Sequence, residues 1–194
     1  PPFTPDPRFG QDGVFVLHVG AVDNLNWTPQ GLAVEPDGRI VLGGTGGSLA
    51  NQTFVGLRLL DDGTLDPTFG AGGIAEVDLG YVYELVQSVR LQPDAKIVLV
   101  GEVSNVATDG QQIGVARLLA DGSPDPTFAT VGWRSVDVLG GADIVNGTVP
   151  LSDGRLRLCG QGWTVQPGPS DLVVYGLLAD GSTETAFGAG GVLQ

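Results

Sequence analysis

Apolar positions in this chain come in short alternating runs, and every run is closed by turn residues. Val14 to Val19, Gly31 to Glu35, Ile40 to Leu42 and Phe54 to Leu60 are four such runs. The same grammar returns at Ile74 to Leu79, Ser88 to Gln92, Ile97 to Val100 and Ile113 to Leu119. A third pass follows at Trp133 to Val138, Gly147 to Leu151, Leu156 to Cys159 and Leu172 to Leu178. Runs of this length predict strands, and none sustains the 3.6-residue period of a capped helix. The third and fourth runs are apolar on both faces: Ile40 and Leu42 oppose Val41, and Leu57 and Leu59 oppose Leu60 and Arg58. Strands of that kind belong to sheets stacked face to face.

The punctuation is periodic too. Asp6-Pro7-Arg8-Phe9-Gly10 recurs as Asp66-Pro67-Thr68-Phe69-Gly70, Asp125-Pro126-Thr127-Phe128-Ala129 and Glu184-Thr185-Ala186-Phe187-Gly188. The phenylalanines are 60, 59 and 59 residues apart (69 − 9, 128 − 69, 187 − 128). A fixed period of this length marks one supersecondary unit copied in series. The copies span 5–64, 65–123 and 124–182, with a closing strand in 183–194. The predicted fold is all-β and β-propeller-like: three four-stranded antiparallel repeats of about 59–60 residues plus a terminal extra strand. A two-layer sandwich is the rival, but it does not require four copies of one phrase.

Between the second and third runs lie Pro36-Asp37-Gly38-Arg39, Pro93-Asp94-Ala95-Lys96 and Ser152-Asp153-Gly154-Arg155. Glycine suits the left-handed corner of such a hairpin. Ala95 in that corner costs on the order of 1 kcal/mol and makes its hairpin the loosest of the three.

The second copy carries Leu65-Asp66-Pro67-Thr68-Phe69-Gly70-Ala71-Gly72-Gly73, then Gln92-Pro93-Asp94-Ala95-Lys96-Ile97-Val98, then Ala116-Arg117-Leu118. This resembles the delta-sixty repeat family of bacterial surface and secreted proteins. The resemblance runs along the whole chain and implies a β-propeller-like scaffold in an extracellular or cell-surface setting. It carries over no catalytic residue, since the family motif consists of turn and core positions. The third copy departs most, with Ala129, Thr130 and Val131 replacing Gly-x-Gly and Arg157 replacing an apolar residue.

Composition narrows the partners. Lys and Arg number 9 against 22 Asp and Glu, a net charge of −13, which disfavours nucleic acid and anionic membrane surfaces. No run approaches the length of a membrane span, so membrane insertion is not expected. The chain has no methionine and reads as a mature form or an excised piece of something longer. The single cysteine, Cys159, forms no internal disulfide and is read as an inert core residue.

Candidate chemistry is sparse. Asp62 with Asp66, and Asp121 with Asp125, are weak candidates for Ca²⁺, but Asp-Gly and Asp-Pro are also ordinary turn chemistry. His18, Asp78 and Asp137 share one position of the first strand and either form a polar mouth or sit singly on a solvent-facing strand. One histidine leaves little room for zinc, and no Gly-x-Ser-x-Gly elbow supplies a nucleophile. No catalytic residue and no cofactor is expected. The connections between third and fourth strands (43–52, 101–112, 160–171) are long and divergent, as binding loops are. Trp27, Tyr81, Tyr83 and Trp163, with Asn26 and Gln161, offer flat apolar area and hydrogen bonds suited to a glycan or a surface protein. The leading expectation is a non-enzymatic extracellular binding or adhesion module. The alternatives are a metal-dependent propeller hydrolase of the lactonase kind and a structural self-assembly domain. The terminal Gly191-Val192-Leu193-Gln194 is expected to pair with the opening unit or with a neighbouring chain, favouring a dimer or trimer.

Overall fold

Twelve strands and no helix form among the residues that the computed structural model describes: 4–17, 28–48, 50–105, 110–164 and 168–194. The first sheet contains β1 (Thr28–Val34), β2 (Ile40–Ser48), β3 (Asn51–Leu59) and β4 (Ile74–Val77), in that spatial order. The second contains β5 (Tyr83–Leu91), β6 (Ile97–Ser104), β7 (Gln112–Leu118) and β8 (Trp133–Val136). The third contains β9 (Asp143–Pro150), β10 (Leu156–Gly162), β11 (Asp171–Leu177) and β12 (Val192–Leu193). Every pairing is antiparallel. These are three blades of β-propeller type.

The blades are out of phase with the sequence repeats. The run that follows each Phe-Gly phrase folds back onto the strand before the phrase, so Ile74 pairs with Leu57 and Trp133 with Ala116. Each blade therefore takes its fourth strand from the start of the next copy. The C-terminal run obeys the same rule: Val192 pairs with Tyr175 and Leu193 with Val174, inside the third blade. It pairs within its own blade rather than with the opening unit, the first of the two pairings the sequence suggests. The first run of copy one has no such partner strand. Only the bridge Gln11 to Val14 forms there, residues 15–17 are irregular, and residues 18 and 19 lie outside the described residues.

Packing explains why both faces of the middle strands are apolar. β5 lies across β1, β2 and β3, and β9 lies across β5, β6 and β7. Phe54, Val41, Val86, Val89, Ile97, Leu99 and Leu118 fill the first interface. Val98, Val100, Ile113, Val145, Leu156, Leu158 and Leu177 fill the second. Even residues of β6 thus face one neighbouring blade and odd residues the other.

Each inner strand carries a β-bulge at the same place, skipping Gln30, Gln87 and Asn146 in the pairing. The bulge drives a carbonyl against the second strand, where a Cβ on Gly101 would stand 1.8 Å from the Leu85 oxygen and one on Gly160 1.8 Å from that of Ile144. Only glycine fits at that contact. Those glycines look like loop signals in the sequence but lie within strands, so the connections are shorter than the expected 43–52, 101–112 and 160–171. In the first blade β2 runs on to Ser48, paired with Asn51, leaving a two-residue tip. The other two connections are residues 105–111 and 163–170.

Ala95 does occupy the left-handed corner, at φ 63°, where Gly38 has 92° and Gly154 has 85°. In the third phrase Ala129 and Thr130 stand at φ 50° and 66°. A Cβ at the equivalent Gly70 would meet the Ile74 oxygen at 2.1 Å. The third phrase accordingly lacks the bridge that Gly70 and Ile74 form in the second.

Candidate functional site

Each blade has two unlike ends. One end gathers the Asp-Gly turns and the Phe-Gly phrases, and we call it the turn end. The other gathers the connections into the inner strands and the third-to-fourth loops, and we call it the loop end.

The turn end holds the acidic candidates of the sequence. Asp62, Asp121 and Asp180 each accept from the backbone N–H and the hydroxyl two residues on, at 2.6–2.9 Å. These are Asx turns. Asp66 accepts from Arg58 Nε at 2.8 Å, and Asp125 accepts from Arg117 Nε at 2.7 Å. The guanidinium carbons of Arg58 and Arg117 lie 4.6 Å from the ring centres of Phe69 and Phe128. Their Nη1 groups reach forward to the carbonyls of Ala120 and Ala179 in the following copy, tying blade to blade. Lys96 Nζ adds a second cation 3.4 Å from Asp125. Burial raises the Asp125 carboxyl, yet Thr127 and Arg117 outweigh it and bring the group down to about 2.

The third blade reaches the same result by exchange. Gly176 stands where Arg58 and Arg117 stand, and Arg157 occupies the opposite residue on the neighbouring strand. From there its guanidinium lies 4.2 Å from the Phe187 ring centre and 2.6 Å from Glu184. Glutamate in place of aspartate supplies the extra reach. Arg157 is thus paired, as a strand charge must be. Cys159, two residues on, is exposed rather than a core residue, because no blade covers that face of β10.

The loop end holds its charges differently. Glu84, at the start of β5, is fully buried and accepts at Oε1 from the N–H groups of Leu79 (2.7 Å) and Tyr81 (3.1 Å). Asp143, at the equivalent place in β9, is also fully buried and accepts from the N–H of Val138 at 2.7 Å. Neither forms an ion pair among the described residues. Burial pushes Glu84 up to about 7 and Asp143 up to about 6. Glu102, on the neighbouring strand, is raised by burial against the opposing hydrogen bond from Gln87. These acids hold the blade-to-blade connections closed. Asp78 and Asp137 lie on the same connections but are exposed and accept from the N–H groups of Gly80 and Gly140, so they cap turns rather than line a mouth.

The aromatic candidates are spread along this end. Tyr81 is half-buried, and its hydroxyl meets Ser135 Oγ at 2.8 Å and Gln112 Oε1 at 3.2 Å. Tyr83 opens β5 opposite Ser104 and is half-buried. Trp163 follows β10, bonds back to the Ala142 carbonyl through its N–H, and donates from its indole Nε1 to the Gly168 oxygen at 3.1 Å. Gln161 is exposed on β10. No hydrogen bond or ring contact joins Tyr81 or Tyr83 to Trp163 among the described residues. Trp27, Asn26 and His18 lie outside the described residues. No group of three His, Cys, Asp or Glu side chains gathers to hold a metal among the described residues. Sequence reasoning missed the buried acids and the exposed bulge residues Gln30, Gln87 and Asn146. The dipeptides Gln30-Gly31, Gln87-Ser88 and Asn146-Gly147 were the available signal for the latter.

Two comparisons bear on the fold. A family model described as "Domain of unknown function (DUF5122) beta-propeller" matches residues 35–69 and 92–128. This is a repeat protein of β-propeller type. Both matched stretches run from an inner-strand hairpin to the phrase phenylalanine, so they contain the second and third strands and the turn-end ion pair. The third copy after its opening phrase, with the exchanged Arg157, lies beyond them. A search of curated proteins finds no match.

Proposed function

We propose that the chain is a non-enzymatic binding module of the delta-sixty kind, displayed at a bacterial surface or secreted, whose loop end recognises a glycan or a protein. The observation that carries this reading is the contrast in how polar groups are used. At the turn end the carboxylates of Asp62, Asp66, Asp121 and Asp125 are held by local hydroxyls, N–H groups and arginines. At the loop end the connections differ in length from copy to copy, with Trp163 on the third and Tyr83 and Gln161 at the strand ends that flank them, and Gln87 and Asn146 add exposed amides at the bulges of β5 and β9. Aromatic faces next to amide groups suit a sugar ring or an extended peptide. Loops on a rigid repeat can change without cost to the scaffold.

Glycan and peptide arrays probed with the purified chain test this. Trp163→Ala and Tyr83→Ala are expected to lower the signal of the best ligand at least about tenfold, the size of a lost aromatic hot spot. Asp94→Ala, at the turn end, is expected to leave it unchanged. Binding that ignores both loop-end variants overturns the reading.

A further inference from the structure

Charge divides the molecule as sharply as hydrogen bonding does. All 9 Lys and Arg side chains belong to the turn half. Arg8 lies in the first phrase, and Arg39, Lys96 and Arg155 lie in the hairpins that join inner to second strands. Each of the others stands next to the turn-end terminal residue of a strand, in β3, β5, β7, β8 or β10. Among the described residues the loop half carries no Lys or Arg. It carries Asp78, Glu84, Glu102, Asp137, Asp143 and Asp171.

At each internal blade junction two of these acids form a like-charged couple. Asp78 and Asp137 are exposed and commit Oδ1 to the N–H of Gly80 or Gly140, and neither has an ion-pair partner among the described residues. Each is followed on the same connection by a fully buried acid, Glu84 or Asp143. Glu84 Oε2 and Asp143 Oδ1 have no hydrogen-bond partner among the described residues. The exposed carboxylate of each couple opposes ionisation of the buried one. Two like charges without a counter-ion attract a cation from outside the chain.

The unpartnered oxygen of Asp143 faces the segment that carries Trp163. A Cβ on Gly162 would stand 2.9 Å from Asp143 Oδ1. Trp163 itself is tied to the same connection, donating its backbone N–H to the Ala142 carbonyl at 2.9 Å. At the other junction Tyr81 and Tyr83 lie in the chain between Asp78 and Glu84. Carboxylate beside aromatic is the arrangement that takes a guanidinium or an ammonium, by charge and by cation–π attraction. It recurs on two neighbouring connections, so a ligand that fills both needs cations spaced along a chain. The exposed amides of Gln87 and Asn146, at the bulges of β5 and β9, suit the backbone of a peptide. An acidic glycan is repelled by this end, and a neutral one leaves its charges unanswered.

We propose that the loop end binds a lysine- and arginine-bearing peptide segment of a partner protein, whose cations face Asp78 and Asp137 and stack on Tyr83 and Trp163. This rests on the loop-end recognition proposed above and names the partner's chemistry.

Fluorescence anisotropy with a labelled oligolysine peptide, against an oligoserine control of the same length, tests it. Oligolysine is expected to bind and oligoserine not, with affinity falling about tenfold between low and physiological salt. Asp78→Asn with Asp137→Asn keeps both turn caps, because Asn accepts from the same N–H groups, and is expected to weaken binding about tenfold. Asp94→Asn with Asp153→Asn removes the same charge at the turn end and is expected to change binding less than about twofold. Equal weakening by the two pairs would mean that the peptide responds to net charge alone, and overturns the proposal. A neutral glycan that binds at the loop end while oligolysine does not also overturns it, yet leaves loop-end recognition standing. If no array ligand responds to Trp163→Ala or Tyr83→Ala either, loop-end recognition falls with it.

Discussion

At the turn end the buried acids Asp66 and Asp125 each face at least one cation, and burial is outweighed. At the loop end Glu84 and Asp143 face backbone N–H groups and the nearby carboxylates of Asp78 and Asp137, with no ion-pair partner among the described residues, and burial wins. The same strands run between the two ends, so the difference is not one of fold. It comes from which neighbours the repeat supplies. An arginine stacked on the phrase phenylalanine is built into the period, whereas the loop end is assembled from connections that vary. The lesson is that the turn end holds the blades together and the loop end is free to acquire a partner.

The largest expected effect is at the turn end. Arg117→Ala leaves the buried Asp125 carboxylate with only the partly exposed Lys96 and removes the link to Ala179, so it should cost about 3 kcal/mol of unfolding free energy in urea titration. Arg157→Ala should cost less, because that pair is partly exposed. Equal costs would mean that burial does not set the value of the pair.

Next comes pH, where the two ends have opposite signs. Asp125 is lowered in the folded chain, so its contribution is present above about pH 4 and lost as pH falls toward 2. Glu84 and Asp143 are raised, so folding favours their protonated forms. Their contribution is full at low pH and is lost as pH rises toward 6 and 7. Stability should therefore peak near pH 4 and decline by on the order of 3 kcal/mol for each of the two groups by pH 8. Glu84→Gln should flatten that decline. A slope unchanged by the substitution would remove Glu84 from the account.

Smaller still, Ala95→Gly should raise stability by about 1 kcal/mol, since it relieves a left-handed alanine at φ 63°. No gain would mean that the added freedom of the unfolded chain offsets the relief. Least of all on stability, Trp163→Ala should stay within about 0.5 kcal/mol while weakening ligand binding. A large loss of stability would make Trp163 a plug of the core and not part of a recognition surface.

The scaffold was legible because it is repeated. Four copies of one phrase fixed the period, and apolar runs such as Ile97 to Val100 announced strands buried on both faces. The phase of the blades was hidden, because nothing local tells Ile74 to pair backward with Leu57. The bulges were hidden for a similar reason: Gly101 and Gly160 signal a loop by composition but serve a close carbonyl approach that only the paired strand reveals. Arg157 looked like an intrusion until Gly176, its cross-strand neighbour, showed the arginine moved by one strand. At the loop end Glu84 and Asp143 open the same short pattern, acid-aliphatic-Val-amide-small, at 84–88 and 143–147, but their burial depends on a neighbouring blade that no short window of sequence contains. Tyr81 stood out as an aromatic, but its bonds to Gln112 and Ser135 are long-range facts.

An amide NMR map of the best array ligand on the labelled chain tests the division of labour most directly. The account predicts shifts confined to 78–83, 110–112, 137–142 and 161–164, with 35–39, 60–64 and 119–123 unmoved. Shifts centred on the Asp-Gly turns and phrase residues, with the loop end silent, would contradict it.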